Sequence, residues 1–215
     1  MYLVKRNLRN AVEVRQDEGV KVDVKTLDGK AMTADAADTL VGTALRIAPG
    51  FVATALDEDA GIETTIEARY NAAKVRYIPS TVITRAVDGE LDASRVGHTL
   101  AQATLQAAVP HCVAVRLDDG SDARWVTVAD LTTGEGRIIP PWMASTVVKR
   151  GMKDERWDVV EILYGAATLA GSPPVKLISL ELDVPQRTAE DWIRKARDSG
   201  RLVGMTAHVG RPASG

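Results

Sequence analysis

The chain has 215 residues, 45% of them apolar but only 4% aromatic, and carries a formal net charge of −2. Its length admits one large domain or two small ones, with Ala, Val and Leu left to fill the interior. The charge excludes a protein held on nucleic acid by bulk attraction, and no apolar run approaches the ~18 residues needed to span a bilayer.

The opening MYLVKRNLRN lacks the long apolar core of a signal peptide. Residues 11–32 read as a hairpin. Val12 and Val14 alternate with polar residues, Glu18-Gly19 can turn, Val20, Val22 and Val24 alternate again, and Asp28-Gly29 is a second turn signal. Residues 32–56 are Ala-rich, and Leu40, Val41, Ala44, Leu45 and Ala48 predict a helix broken by Pro49-Gly50. Acidic residues 57–61 read as a loop. Residues 64–70 and 75–87 predict a second hairpin with Asn71 near its turn, ended by Asp88-Gly89.

A second Ala/Leu helix is expected over residues 92–109, through Val96, Leu100, Ala103, Leu105 and Ala107, stopped by Pro110. Residues 112–117 and 124–131 alternate around Asp118-Asp119-Gly120-Ser121, a third hairpin. Pro140-Pro141 marks irregular chain, and residues 142–152 read as a connector. Asp28-Gly29, Thr39-Leu40, Leu45 and Ala48 recur 60 positions later as Asp88-Gly89, Thr99-Leu100, Leu105 and Ala108. Ala- and Leu-rich composition accounts for that echo by itself, although both copies read strands, turn, helix, proline. Residues 1–148 are therefore expected to form an α+β domain of β-hairpins with two Ala-rich helices covering a sheet face.

Residues 154–203 predict a second domain of three helices. The first runs from Asp154 through Trp157, Val160, Leu163, Tyr164 and Ala167 to Ala170, with Gly171 as its stop. Ser172 is expected to cap the second, with Pro173-Pro174 in its first turn; Leu177, Ile178 and Leu182 are its apolar stripe. Asp183 and Val184 interrupt, and Pro185 opens the third helix. That helix sets Ala189, Trp192, Ile193 and Ala196 on one side, at steps of three and four. Gly200 should end it, and residues 204–215 read as a flexible tail.

Two helices joined by so short a turn are a helix-turn-helix, with Ser179 allowing close crossing and Val184 plugging the gap. Val184, Arg187, Thr188, Ala189, Trp192, Ile193, Ala196, Arg197, Gly200 and Leu202 carry a resemblance to the helix-turn-helix DNA-binding proteins of actinobacteria and their phages. The likeness covers roughly the last quarter of the chain. Asp183 stands where that family usually has Gly and Pro185 where it usually has Ser; an Asp tolerates a left-handed turn position at modest cost. The front half, around residues 77–108, resembles uncharacterised actinobacterial proteins and implies no activity.

In a major groove the N-terminal residues of such a helix face base edges. Gln186 suits adenine, Arg187 suits guanine, and Glu190 or Asp191 can accept from a cytosine amino group. Thr188 belongs to the same turn, and Arg194 is the last base-facing side chain. Lys195, Arg197 and Arg201 are better placed for phosphates, which position without specifying. From Gln186 to Arg201 five basic residues face three acidic ones, a weak patch that a homodimer would double.

No catalytic, metal or cofactor chemistry is expected. His98, His111 and His208 share no ligand spacing, and His111-Cys112 are adjacent, which rarely gives the geometry of a nucleophile pair. Gly134 to Gly136 lacks the lysine and helix of a phosphate loop. Asp57, Glu58 and Asp59, like Asp118, Asp119 and Asp122, show no EF-hand spacing. The lone Cys112 has no disulfide partner, which fits a reducing compartment. The expectation is a cytoplasmic, non-enzymatic transcriptional regulator that binds double-stranded DNA as a homodimer, without a membrane partner and with no effector specified. An assembly or adaptor protein using the same motif on a protein partner is the alternative. A recombination or replication accessory is a third reading.

Overall fold

The computed structural model describes residues 22–42, 45–91, 98–116, 124–131, 137–139, 141–150 and 153–205. The first hairpin turn at Glu18-Gly19, the loop at residues 118–122, the Gly134–Gly136 turn, His208 and the tail beyond residue 205 lie outside them. Strands β1 (Val22–Lys25), β4 (Gly50–Asp57), β5 (Ile62–Asn71) and β6 (Arg76–Ala86) form one antiparallel sheet in the order β1-β4-β5-β6. A second antiparallel sheet runs β2-β3-β7-β8, from Thr39–Val41, Leu45–Ile47, Val113–Arg116 and Trp125–Thr127. With helices α1 (His98–Cys112), α2 (Val128–Leu131), α3 (Pro141–Arg150), α4 (Lys153–Leu169), α5 (Pro174–Leu182) and α6 (Gln186–Asp198), the chain is mixed α+β.

Alternation builds the first sheet. Ile62, Thr64, Ile66 and Ala68 on β5 are buried while their neighbours are not, and Phe51 and Ala53 on β4 share their face. Helix α1 covers that face and presents Leu105, Ala108 and Val109 to it. The sheets meet at a short relay of hydrogen bonds. The buried Tyr77 hydroxyl donates to the Ala48 carbonyl at 2.7 Å, and the Ala48 N–H donates to the Cys112 carbonyl at 2.9 Å. Edge-on contacts of Tyr77 with Phe51 and Tyr70 pack the same corner.

The hairpin expected over residues 64–87 is present, with Asn71 ending β5 and its side chain accepting from the Lys74 N–H at 2.9 Å. Several other expectations are corrected. Residues 32–56 contain a single 3-10 turn (Ala34–Ala36) and three strands in place of a helix. The apparent three- and four-residue steps run through alanines, which favour no face strongly. Val41, Leu45 and Ile47 are buried while Leu40 and Arg46 are exposed, which is period two. Beyond the turns at Asp28-Gly29 and Asp88-Gly89, each with glycine at positive φ, the 60-residue echo has no structural counterpart, since Leu45 lies in β3 and Leu105 in α1. Pro110 falls inside α1 and the helix runs two residues further. Strand β8 stops at Thr127, because Thr127 and Asp130 cap each other reciprocally and start α2. Of the connector expected over residues 142–152, residues 142–150 lie in helix α3, which begins at Pro141, where the missing N–H costs nothing.

Helix α4 is the shared centre. Every residue from Val159 to Ala170 is buried or nearly so, Gly165 included, as expected of a helix enclosed on all sides. Gly165 lets the Leu45 side chain of the second sheet lie directly on the helix, where a Cβ would collide with it. Met205, at the start of the expected tail, is 1% exposed beside Gly42 and Gly165. One hydrophobic core therefore runs from Val24 to Met205. Helix α4 ends through Gly171, whose N–H donates to Thr168 while that of Ser172 donates to Ala167. Ser172 thus closes α4 and does not cap α5, whose cap position is Pro173.

Between α5 and α6, Asp183 adopts the left-handed conformation at φ 50°. Ser179 wraps this turn: its carbonyl accepts from Asp183 and Val184, and its hydroxyl donates to the Val184 carbonyl at 2.6 Å. Val184 is buried. Glu181, 4% exposed, accepts the Ile139 N–H at 3.1 Å while Arg137 donates to its backbone carbonyl. Burial pushes the Glu181 carboxyl up; the Ile139 and Ile138 amides and Arg137 only partly oppose that.

Asp183→Gly should stabilise the chain by up to about 1 kcal/mol in urea unfolding, since glycine adopts this conformation without the Cβ penalty. The raised Glu181 carboxyl contributes stability that is present at pH below the ordinary glutamate range and is lost as pH rises through its folded value. Melting wild type and Glu181→Gln in parallel from acid to neutral pH should therefore show wild type losing ground to the variant as pH rises.

Candidate nucleic-acid interface

Helix α6 is divided lengthwise. Ala189 and Ala196 are fully buried, Trp192 and Ile193 nearly so, packed towards α4 and α5. Pro185 starts it with extended geometry and its carbonyl accepts from Thr188 and Ala189. Gly200, at φ 80°, ends it as Gly200 and Arg201 donate to Arg197 and Ala196. A sequence-distant residue fixes the buried side. The Arg156 guanidinium lies 4.7 Å from the Trp192 ring, and its Nε and Nη2 both donate to the Val147 carbonyl of α3.

The opposite side is open. Gln186, Arg187, Glu190, Arg194, Lys195 and Arg197 are exposed, while Thr188, Asp191 and Arg201 are half-buried. Arg187, Thr188, Glu190, Asp191 and Arg194 line one open groove with Pro185. Within it Asp191 pairs with Arg194 through one carboxylate oxygen and with Lys195 Nζ through the other at 2.7 Å. Lys195 first, then Arg194, holds the Asp191 carboxyl below its ordinary range.

Two of the remaining three cations turn towards α4. Arg197 donates to the Tyr164 hydroxyl at 2.9 Å and lies over its ring, and Arg201 pairs with Asp158 at 2.5 Å. Arg187 is different, having no ion pair among the described residues. The nine residues expected to touch DNA thus fall into seven spread along α6 from Gln186 to Lys195 and a pair, Arg197 and Arg201, held against α4. Sequence reasoning missed Asp158, Tyr164 and Arg156, which sit in no motif.

Elsewhere, among the described residues no group of three or more His, Cys, Asp or Glu side chains is placed to hold a metal ion. Cys112 is fully buried, which pushes its thiol well up, and burial lowers the neighbouring His111. No helix of the described residues is long and apolar enough to cross a membrane.

No family model matches this chain, and neither a curated protein nor a solved structure gives a significant match.

The lengthwise division of α6 is open to a direct check. Trp192→Ala should cost about 3–5 kcal/mol of unfolding free energy, whereas Arg187→Ala, on the open side, should stay within about 0.5 kcal/mol of wild type. Similar losses from both would mean that the helix is not divided in this way.

Proposed function

We propose that the chain is a sequence-specific DNA-binding protein, a transcriptional regulator, in which α5 and α6 act as a helix-turn-helix and α6 enters the major groove. The observation that carries this reading is the division of α6, with Ala189, Trp192, Ile193 and Ala196 inside and Gln186, Arg187, Glu190, Arg194 and Lys195 outside. In this reading Gln186 and Arg187, in the first turn, read bases, and the helix start, without a side-chain cap, faces a phosphate. Lys195 contacts backbone, and Arg197 and Arg201 set the helix on α4. A homodimer supplies the affinity that one mildly acidic copy lacks, and the front sheets provide the dimer or effector surface.

The adaptor reading rests on a specific observation too. Asp191 already pairs with both Arg194 and Lys195 and offsets one of their two charges, so the open face carries less free positive charge than a count of its cations suggests. A protein partner tolerates that better than a duplex does.

Selection from a random duplex pool with the full chain, followed by binding at several salt concentrations, separates the two. DNA binding predicts an enriched site, palindromic for a homodimer, and affinity falling steeply with salt. On the selected site Arg187→Ala should weaken binding by about 1–3 kcal/mol while sparing random duplex. Lys195→Ala should weaken both alike and flatten the salt dependence. No enrichment together with salt-independent binding would favour the adaptor.

A further inference from the structure

We infer that Asp191 is a built-in counterion of α6 that occupies Arg194 and Lys195 until a duplex displaces it, and so suppresses binding to DNA of arbitrary sequence. The inference rests on the DNA-binding reading above. Both carboxylate oxygens of Asp191 are committed, one to each cation. The acid lies three and four residues N-terminal to the bases, the orientation that favours pairing along a helix. Its side chain is 34% exposed, against 69% for Arg194 and 56% for Lys195, so the carboxylate is the most covered of the three.

Consequences for encounter with DNA follow from the other charges. Arg197 and Arg201 are engaged with Tyr164 and Asp158, which leaves Arg187 as the basic side chain of the groove without an ion pair among the described residues. A phosphate approaching Arg194 meets the Asp191 carboxylate in the same groove. Exposed ion pairs are individually weak, so an array of phosphates can break these, but every duplex must do so. A cognate site offsets that cost through base contacts from Gln186 and Arg187; random duplex has nothing to offset it. The carboxylate therefore lowers affinity for every duplex by the same factor, leaving the ratio between sites unchanged but taking random duplex below useful affinity while a cognate site, with its base contacts, stays above it.

Glu190 supplies the control. It lines the same groove and carries the same charge, but makes no ion pair among the described residues. Wild type, Asp191→Asn and Glu190→Gln, each verified as folded by thermal melting, are titrated with a fluorescent random-sequence duplex across a salt series. Asp191→Asn should bind roughly 3–10-fold more tightly at low salt and steepen the log–log salt slope by about one, with Glu190→Gln changing both much less. Equal effects of the two variants, or an unchanged slope in Asp191→Asn, overturn the counterion role while leaving the DNA-binding reading intact. Absence of salt-dependent binding by all three proteins overturns both. An NMR titration of the Asp191 carboxyl without DNA separates these cases further. Lys195→Gln should move its pKa back up towards the ordinary range, and an Asp191 that titrates identically in both proteins refutes the pairing itself.

Discussion

The burial of one side of α6 is the constraint on which the candidate interface depends. Ala189 and Ala196 let the helix approach its neighbours closely, and Trp192 fills the space between them, fixed by Arg156 above its ring. With four positions committed inward at steps of three and four, the rotation of the helix about its axis has no freedom left. Gln186, Arg187, Glu190 and Arg194 then project outward whatever their own preferences. The chemistry of the face is a consequence of packing on the other side.

What that face can attract is decided by ion pairs more than by charge count. Five basic side chains stand between Gln186 and Arg201, but four have partners within the molecule. Asp191 takes two, and Tyr164 and Asp158 take one each. Such partners cost little to break at the surface, so under the proposed DNA-binding role they would raise the threshold for a polyanion without preventing binding. The Arg197–Tyr164 and Arg201–Asp158 contacts also tie α6 and the turn after it to α4.

Helix α4 connects α6 to the rest of the molecule. Leu45 of the second sheet rests on Gly165, and Met205, beyond α6, returns to the same spot. The core is continuous from the first sheet through α4 to α6. A change in the front sheets that displaced Leu45 would press on the helix that holds Arg197 and Arg201. The relay from Tyr77 through Ala48 to Cys112 ties both sheets to α1.

Local signals by themselves determined a good part of this protein. The α6 stripe, the left-handed Asp183, the stop at Gly200 and the hairpin about Asn71 were legible because each depends on residues a few positions apart. A 3.6-residue period, a turn conformation and a helix end are short-range physics. Tertiary structure alone decided the rest. Residues 45–47 and 50–57 became strands because β1, β5 and β7 were available to pair with them and bury Leu45, Ile47 and Phe51, a choice that alanine-rich periodicity cannot register. The pairings of Arg197 with Tyr164 and Arg201 with Asp158 span 33 and 43 residues. Chain separations of that size leave no mark on local pattern, because only the packing of α6 on α4 brings those atoms together.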